Sequence, residues 1–251
     1  MTSSGKAPTR ASPFGIALGI TTFLWTAPAA AFPPYRSTDA ETAEVGELEV
    51  RLGLGRLERE GADNEYAAPL ARVNLGLRPN LELVSEFEHP TQDEASDEAA
   101  FGFKWVSGPG MLRFGIETLA LPPMSASHAG MGVESQLIAT LRTGSFRIHA
   151  NAGGFYDSRP SEDERGRRGS LLVERQVGPA RYGIEIFARK AHSEEVRAQL
   201  GPGVILKVGS FDIRAGLHMG LTSETPDMAV SVWISRAWTV WEPTRSRVLA
   251  K

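Results

Sequence analysis

The stretch ARVNLGLRPNLELVSEFE, Ala71 to Glu88, decides the fold. Ala71, Val73, Leu75 and Leu77 alternate with Arg72, Asn74, Gly76 and Arg78. After Arg78-Pro79-Asn80 the alternation resumes, with Leu81, Leu83 and Phe87 against Glu82, Glu86 and Glu88. Successive side chains of a strand point to opposite faces, so period two gives each strand one apolar and one polar face. Pro presets a turn backbone and Asn tolerates the tight corner, so the two strands form a hairpin.

Outward from this hairpin the same period returns along the chain. It recurs in Leu48–Leu54, Phe101–Trp105, Leu112–Ile116, Met131–Leu141, Phe146–Ala152, Leu171–Val173, Tyr182–Ala188, Val204–Val208, Phe211–Leu221 and Val230–Trp238. No segment carries a 3.6-residue stripe, which predicts an all-β chain of twelve strands. The short tenth strand, around Gly203 to Val208, leaves a count of ten open. Pro69 and Pro202 cannot donate ladder hydrogen bonds and are expected at strand starts or rims.

The connections alternate in length. Tight turns fall at Pro79, Ser107–Gly110, Gly144, Pro179 and Gly209–Ser210, and longer polar loops lie between them. Short turns at one end and long loops at the other are the layout of an antiparallel up-and-down transmembrane β-barrel, spanning 47–238, with the turns periplasmic. Trp105, Phe146, Tyr182, Phe211 and Trp238 all lie on apolar parity next to the short-turn end, as an aromatic girdle would. A secreted β-sandwich also alternates, but it would bury its apolar face, whereas a membrane barrel turns that face to lipid.

Residues 1–31 read as a cleaved secretory signal peptide. Lys6 and Arg10 precede the apolar run Phe14–Trp25 and the small-residue site Ala27-Pro28-Ala29-Ala30-Ala31. Residues 32–46 are expected to be a periplasmic N-terminal segment, with the question whether Phe32 to Glu44 plugs the pore left open, and 239–251 a C-terminal tail. The chain has 251 residues and no Cys, which excludes disulfide scaffolds and thiolate chemistry. Its net charge of −3 argues against a nucleic-acid partner.

Three blocks carry a family resemblance: FPPYRSTDAETAEVGELEVRLGLG from Phe32, LGLRPNLELVSEFE from Leu75, and PDMAVSVWISRAW from Pro226. Together they resemble the MetA-pathway phenol-degradation family of outer-membrane, porin-like transporters. The resemblance implies a barrel in the outer membrane of a Gram-negative bacterium and a solute that is small, hydrophobic or aromatic. Two departures stand out: Arg236 on lipid-facing parity, and a tail continuing past Trp238 to Lys251.

The polar parity gathers the charges. The pore-lining candidates are Arg51, Arg72, Glu82, Glu86, Lys104, Arg113, Glu117, Glu134, Arg147, Glu185, Lys207 and Arg214. Near balance of sign fits a lumen filled by ion pairs. Interior glycines such as Gly53, Gly76 and Gly216 instead favour a narrow wet conduit, and that is the expectation adopted. None of the five His has Ser two residues on, and G-x-S-x-G, H-E-x-x-H and P-loop patterns are absent. The expected function is therefore a channel or transporter without catalytic residues, metal or cofactor. A structural or adhesive barrel without flux is the alternative, and a lipid-modifying enzyme a more distant one. Expected partners are outer-membrane lipids and lipopolysaccharide, the barrel-assembly machinery through the last strand, and small solutes.

Overall fold

In the computed structural model the described residues are 34–58, 64–91, 97–124, 130–160, 163–192 and 194–242. The signal-peptide reading, most of the tail, and parts of the long loops lie outside them. Twelve strands form: β1 (Glu47–Glu58), β2 (Glu65–Arg78), β3 (Leu81–Pro90), β4 (Glu98–Val106), β5 (Leu112–Leu121) and β6 (Gly132–Thr143). They continue as β7 (Phe146–Asp157), β8 (Glu164–Val177), β9 (Ala180–Ala191), β10 (Arg197–Val208), β11 (Phe211–Gly220) and β12 (Met228–Thr239). Each pairs antiparallel with its sequence neighbours, and β12 returns to β1 to close the barrel. Closure leaves no edge strand, so the ladder groups find partners within the sheet, as a hydrocarbon surrounding demands.

Gly144, Gly178 and Gly209 sit in the short turns with φ of 57°, 57° and 62°. Such left-handed backbone is strained for residues with a Cβ, so glycine sets these hairpins and through them the register. The tenth strand is longer than its alternation suggested. It begins at Arg197, since Gly201 and Pro202 interrupt the pattern without ending the strand. Pro69 lies where the β2–β3 register slips between Ala67 and Leu70. Pro202, expected at a rim, instead sits inside β10 opposite Ile184, where the ladder to β11 lapses between Leu200 and Gly203.

The burial pattern separates barrel from sandwich. Leu137 of β6 and Ile184 of β9 are 65% and 56% exposed, while Glu117 of neighbouring β5 and Glu185 of β9, on the opposite face of the sheet, are 1% and 0% exposed. A soluble fold has no reason to turn its leucines out and its carboxylates in. Leu83 and Val232 are exposed on the same outer surface, which also carries Val73 and Ile116. Trp105, Phe146, Tyr182, Phe211 and Trp238 are likewise exposed at the short-turn end. Arg236 lies over the Phe211 and Trp238 rings, 5.2 Å from each centroid, which accounts for a cation on this face.

Candidate functional site: the lumen and the segment inside it

Residues 34–43 do not stand outside the barrel mouth as expected for a periplasmic segment. They run inside the lumen, entered from the short-turn end, where the Gly46 N–H donates to the Gly76 carbonyl at 2.8 Å. The wall holds them by receiving their backbone N–H groups on side chains. Ala43 donates to Glu82 (2.7 Å), Ala40 to the Thr140 hydroxyl (2.8 Å), Thr38 to Asn151 Oδ1 (2.8 Å) and Arg36 to Glu185 Oε2 (2.7 Å). Asn151 returns a bond to the Thr38 carbonyl at 2.9 Å. An extended segment without strand partners would leave these groups unpaired in a buried place, so the polar wall is what makes its burial tolerable.

Glu185, near the middle of β9, is the main anchor. Its carboxylate accepts from the backbone N–H groups of Arg36 and Ser37 and from the Ser37 hydroxyl, with His218 Nε2 3.1 Å away. The Arg36 side chain donates to Gln199 (3.0 Å) and lies 5.1 Å from the Phe187 ring centroid. Burial pulls the Arg36 guanidinium down to about 10, although the charge of Glu185 favours the cation. Burial would raise the Asp39 carboxyl, but Lys104, 3.6 Å away, holds it well below the usual carboxylate range.

A row of glycines receives the next two side chains. Gly183, Gly203 and Gly216 stand side by side on β9, β10 and β11. A Cβ on Gly203 would meet Tyr35 Cε1 at 2.5 Å, one on Gly183 the Tyr35 hydroxyl at 2.6 Å, and one on Gly216 the Pro34 carbonyl at 2.4 Å. Three missing side chains thus form a slot in the wall, closed by Leu172 and Ile205 packing on Tyr35. The interior glycines expected to leave a wet conduit are filled in the same way. Gly53 lies under the Trp233 ring, and Gly76 against the backbone of residues 43 and 44.

The charged candidates from the sequence face the interior, most of them in pairs. Arg72 reaches Glu117 (2.8 Å) and Glu86, and Lys104 reaches Glu82 (2.9 Å). Arg51 and Arg214 both bind Glu49, at 2.7 and 3.0 Å. Glu134 pairs with Arg168, and Arg147 lies 3.4 Å from Glu41 of the segment. Arg113 and Lys207 sit lower, toward the short-turn mouth; among the described residues Arg113 reaches the Ser107 carbonyl, at 3.5 Å, and Lys207 is exposed. The middle of the lumen therefore holds paired charges and the segment, which corrects the expectation of an open wet interior. Residual space is a cavity of about 290 Å³ on the short-turn side, lined by Tyr35, Asp39, Glu49, Arg51, Arg181 and Arg214 among others.

Parity puts Glu174 on the interior face, but sequence reading missed His149 and Thr140. Thr140 accepts from Ala40, its hydroxyl lies 2.9 Å from His149 Nδ1, and His149 Nε2 lies 3.1 Å from Glu174. With the Thr140 hydroxyl donating, Nε2 carries the ring proton toward Glu174. A hydroxyl, a His and a carboxylate in line resemble a nucleophile triad, but Thr140 is 0% exposed beneath Ala40. The chain of bonds therefore fixes the wall against the segment.

No family model matches the chain, and no curated protein does. Solved structures do. An outer membrane channel from Pseudomonas putida F1 superposes with a TM-score of 0.61 at 10% identity, over 80% of this chain and 98% of that one. The translocator domain of the autotransporter NalP from Neisseria meningitidis fits with a TM-score of 0.44 at 10% identity, over 78% and 90%. The anion-selective porin from Comamonas acidovorans fits with 0.43 at 13% identity, over 75% and 74%. The fold is that of an outer-membrane β-barrel. Of the three, the Pseudomonas channel alone fits well enough to compare architecture, and nearly its whole length is covered.

Proposed function

We propose that this protein is an outer-membrane channel for small solutes, held closed at rest by residues 34–43 and exported through the signal peptide read at 1–31. The observation that carries the reading is how the segment is held. Its contacts are mostly hydrogen bonds and ion pairs to wall side chains, with apolar packing at Tyr35 and at Ala40, which meets Val106 and Ile138. Hydrogen bonds exchange with water at small net cost, so the segment can leave without unfolding the barrel. A permanent structural plug would be expected to bury more apolar surface.

The solute class follows from the cavity below the segment. Tyr35, Leu172 and Ile205 give it one apolar wall, and Arg51, Arg181 and Arg214 face it from ion pairs with Glu49 and Glu174 of the same lining. That combination of an apolar wall and paired charges suits a small aromatic solute bearing a polar group, consistent with the sequence resemblance to the phenol-degradation family. The competing reading, a structural barrel without flux, draws on the buried ion pairs Arg72–Glu117 and Lys104–Glu82. Swelling of liposomes containing the refolded protein tests both. Faster entry of an aromatic alcohol than of a sugar of similar size supports the channel, and no entry of either supports the structural barrel.

A further inference from the structure

We propose that the outward face of β8 and β9 at the long-loop end binds the phosphate groups of lipopolysaccharide. The proposal rests on the barrel lying in the outer membrane with its long loops outward.

Arg165 and Arg167 share the outward parity of β8 with Leu171 and Val173, and Lys190 and His192 share that of β9 with Ile184 and Ile186. Arg167 stands directly opposite Lys190 in register, and the His192 N–H donates to the Arg165 carbonyl at 2.8 Å. Four basic side chains thus form a two-by-two block on one outer surface. Directly opposed like charges destabilise a sheet. Inside the barrel such charges are paired, but among the described residues no carboxylate lies within ion-pair distance of any of these four. The nearby acids are engaged elsewhere: Asp163 accepts from the Tyr156 hydroxyl (2.6 Å), Glu164 faces Arg189 (3.6 Å) and Glu194 faces Arg197 (3.0 Å). Glu195 is exposed in the β9–β10 loop and pairs with none of the four.

Among the described residues these four side chains thus find no counter-charge, and an anion on the outer surface can supply it. Immediately toward the membrane the same two strands present Leu171 (46% exposed), Ile186 (44%) and Ile184 (56%). A cationic crest above an apolar slope matches a lipid with phosphates at headgroup level and acyl chains below them. Arg guanidinium groups add bidentate geometry for phosphate oxygens. At the long-loop end that lipid is the outer-leaflet one.

The test is titration of the refolded protein in detergent with lipopolysaccharide, with its dephosphorylated form and with phosphatidylglycerol. The comparison is a variant carrying Arg165→Ser, Arg167→Ser and Lys190→Ser. Lipopolysaccharide is expected to bind the parent protein at least about tenfold more tightly than the variant, since each basic residue near an anionic lipid surface adds appreciably to binding. Equal binding to parent and variant, or undiminished binding of the dephosphorylated form, overturns the site. Equal binding of phosphatidylglycerol overturns the choice of lipid. Should the triple variant fail to show heat-modifiable mobility, Arg167→Gln alone serves, with a smaller loss expected and an unchanged affinity overturning the site. Conductance recorded on the same preparations reports separately on the channel reading, because these residues lie outside the lumen.

Discussion

Replacing Glu185 by Ala is expected to free the N-terminal segment while leaving the barrel closed upon itself. The carboxylate is fully buried and accepts two backbone N–H groups and one hydroxyl from Arg36 and Ser37. Hydrogen bonds to a charged group contribute about 1.5–3 kcal/mol each. Such bonds are not additive, and the loss also strands buried donors, so the docked state should lose about 3–5 kcal/mol. That shifts the docked-to-released ratio by roughly a hundredfold to a few thousandfold. Glu185→Gln keeps an acceptor but loses the charge and should fall between. Planar-bilayer recording reads the effect as a rise in open fraction, and limited proteolysis as cleavage within residues 34–43. The reasoning is refuted if Glu185→Ala, with heat-modifiable mobility intact, keeps the parent's closed fraction and its protection from protease.

Three further outcomes are expected. Leu137→Arg and Ile184→Arg place a cation in the lipid belt and should each cost about 2–4 kcal/mol of folding into bilayers; unchanged urea midpoints in vesicles would contradict the outward assignment. Arg72→Ala leaves Glu86 and Glu117 facing each other without their cation, and should destabilise the barrel by about 3–5 kcal/mol; an unchanged unfolding temperature would mean that water screens the pair. The Asp39 carboxyl titrates below its ordinary value in the docked segment, so its contribution to docking is present above about pH 4 and is lost as pH falls below that. The open fraction should therefore be higher at pH 3 than at pH 7, and a lower one would be contrary to this linkage.

The strands and turns were legible because each follows from a local rule. Period two divides Ala71–Leu77 from Arg72–Arg78, and glycine marks the left-handed corners at Gly144 and Gly209. The position of residues 34–43 was not legible in this way. Their sequence, PYRSTDAETA, has no period, and what holds them is a set of acceptors scattered over β3, β6, β7 and β9. One signal did exist. Gly183, Gly203 and Gly216 fall on inward parity of consecutive strands, and hairpin register alone brings them level. Interior glycines were read as room for water, but a level row of three is room for chain, and Tyr35 with Pro34 occupies it. The candidate charges were found from parity, yet their partners were not, because Arg72–Glu117 and Arg214–Glu49 cross the lumen between strands that are not neighbours.

The central claim is that residues 34–43 close an otherwise conductive barrel. It is tested most directly by single-channel conductance in planar bilayers, comparing the intact protein with one from which 34–43 have been deleted. The deletion is expected to give steady conductance where the intact protein is mostly closed with brief openings. No conductance from the shortened protein, with its heat-modifiable mobility preserved, would contradict the claim and leave the barrel a filled structural element.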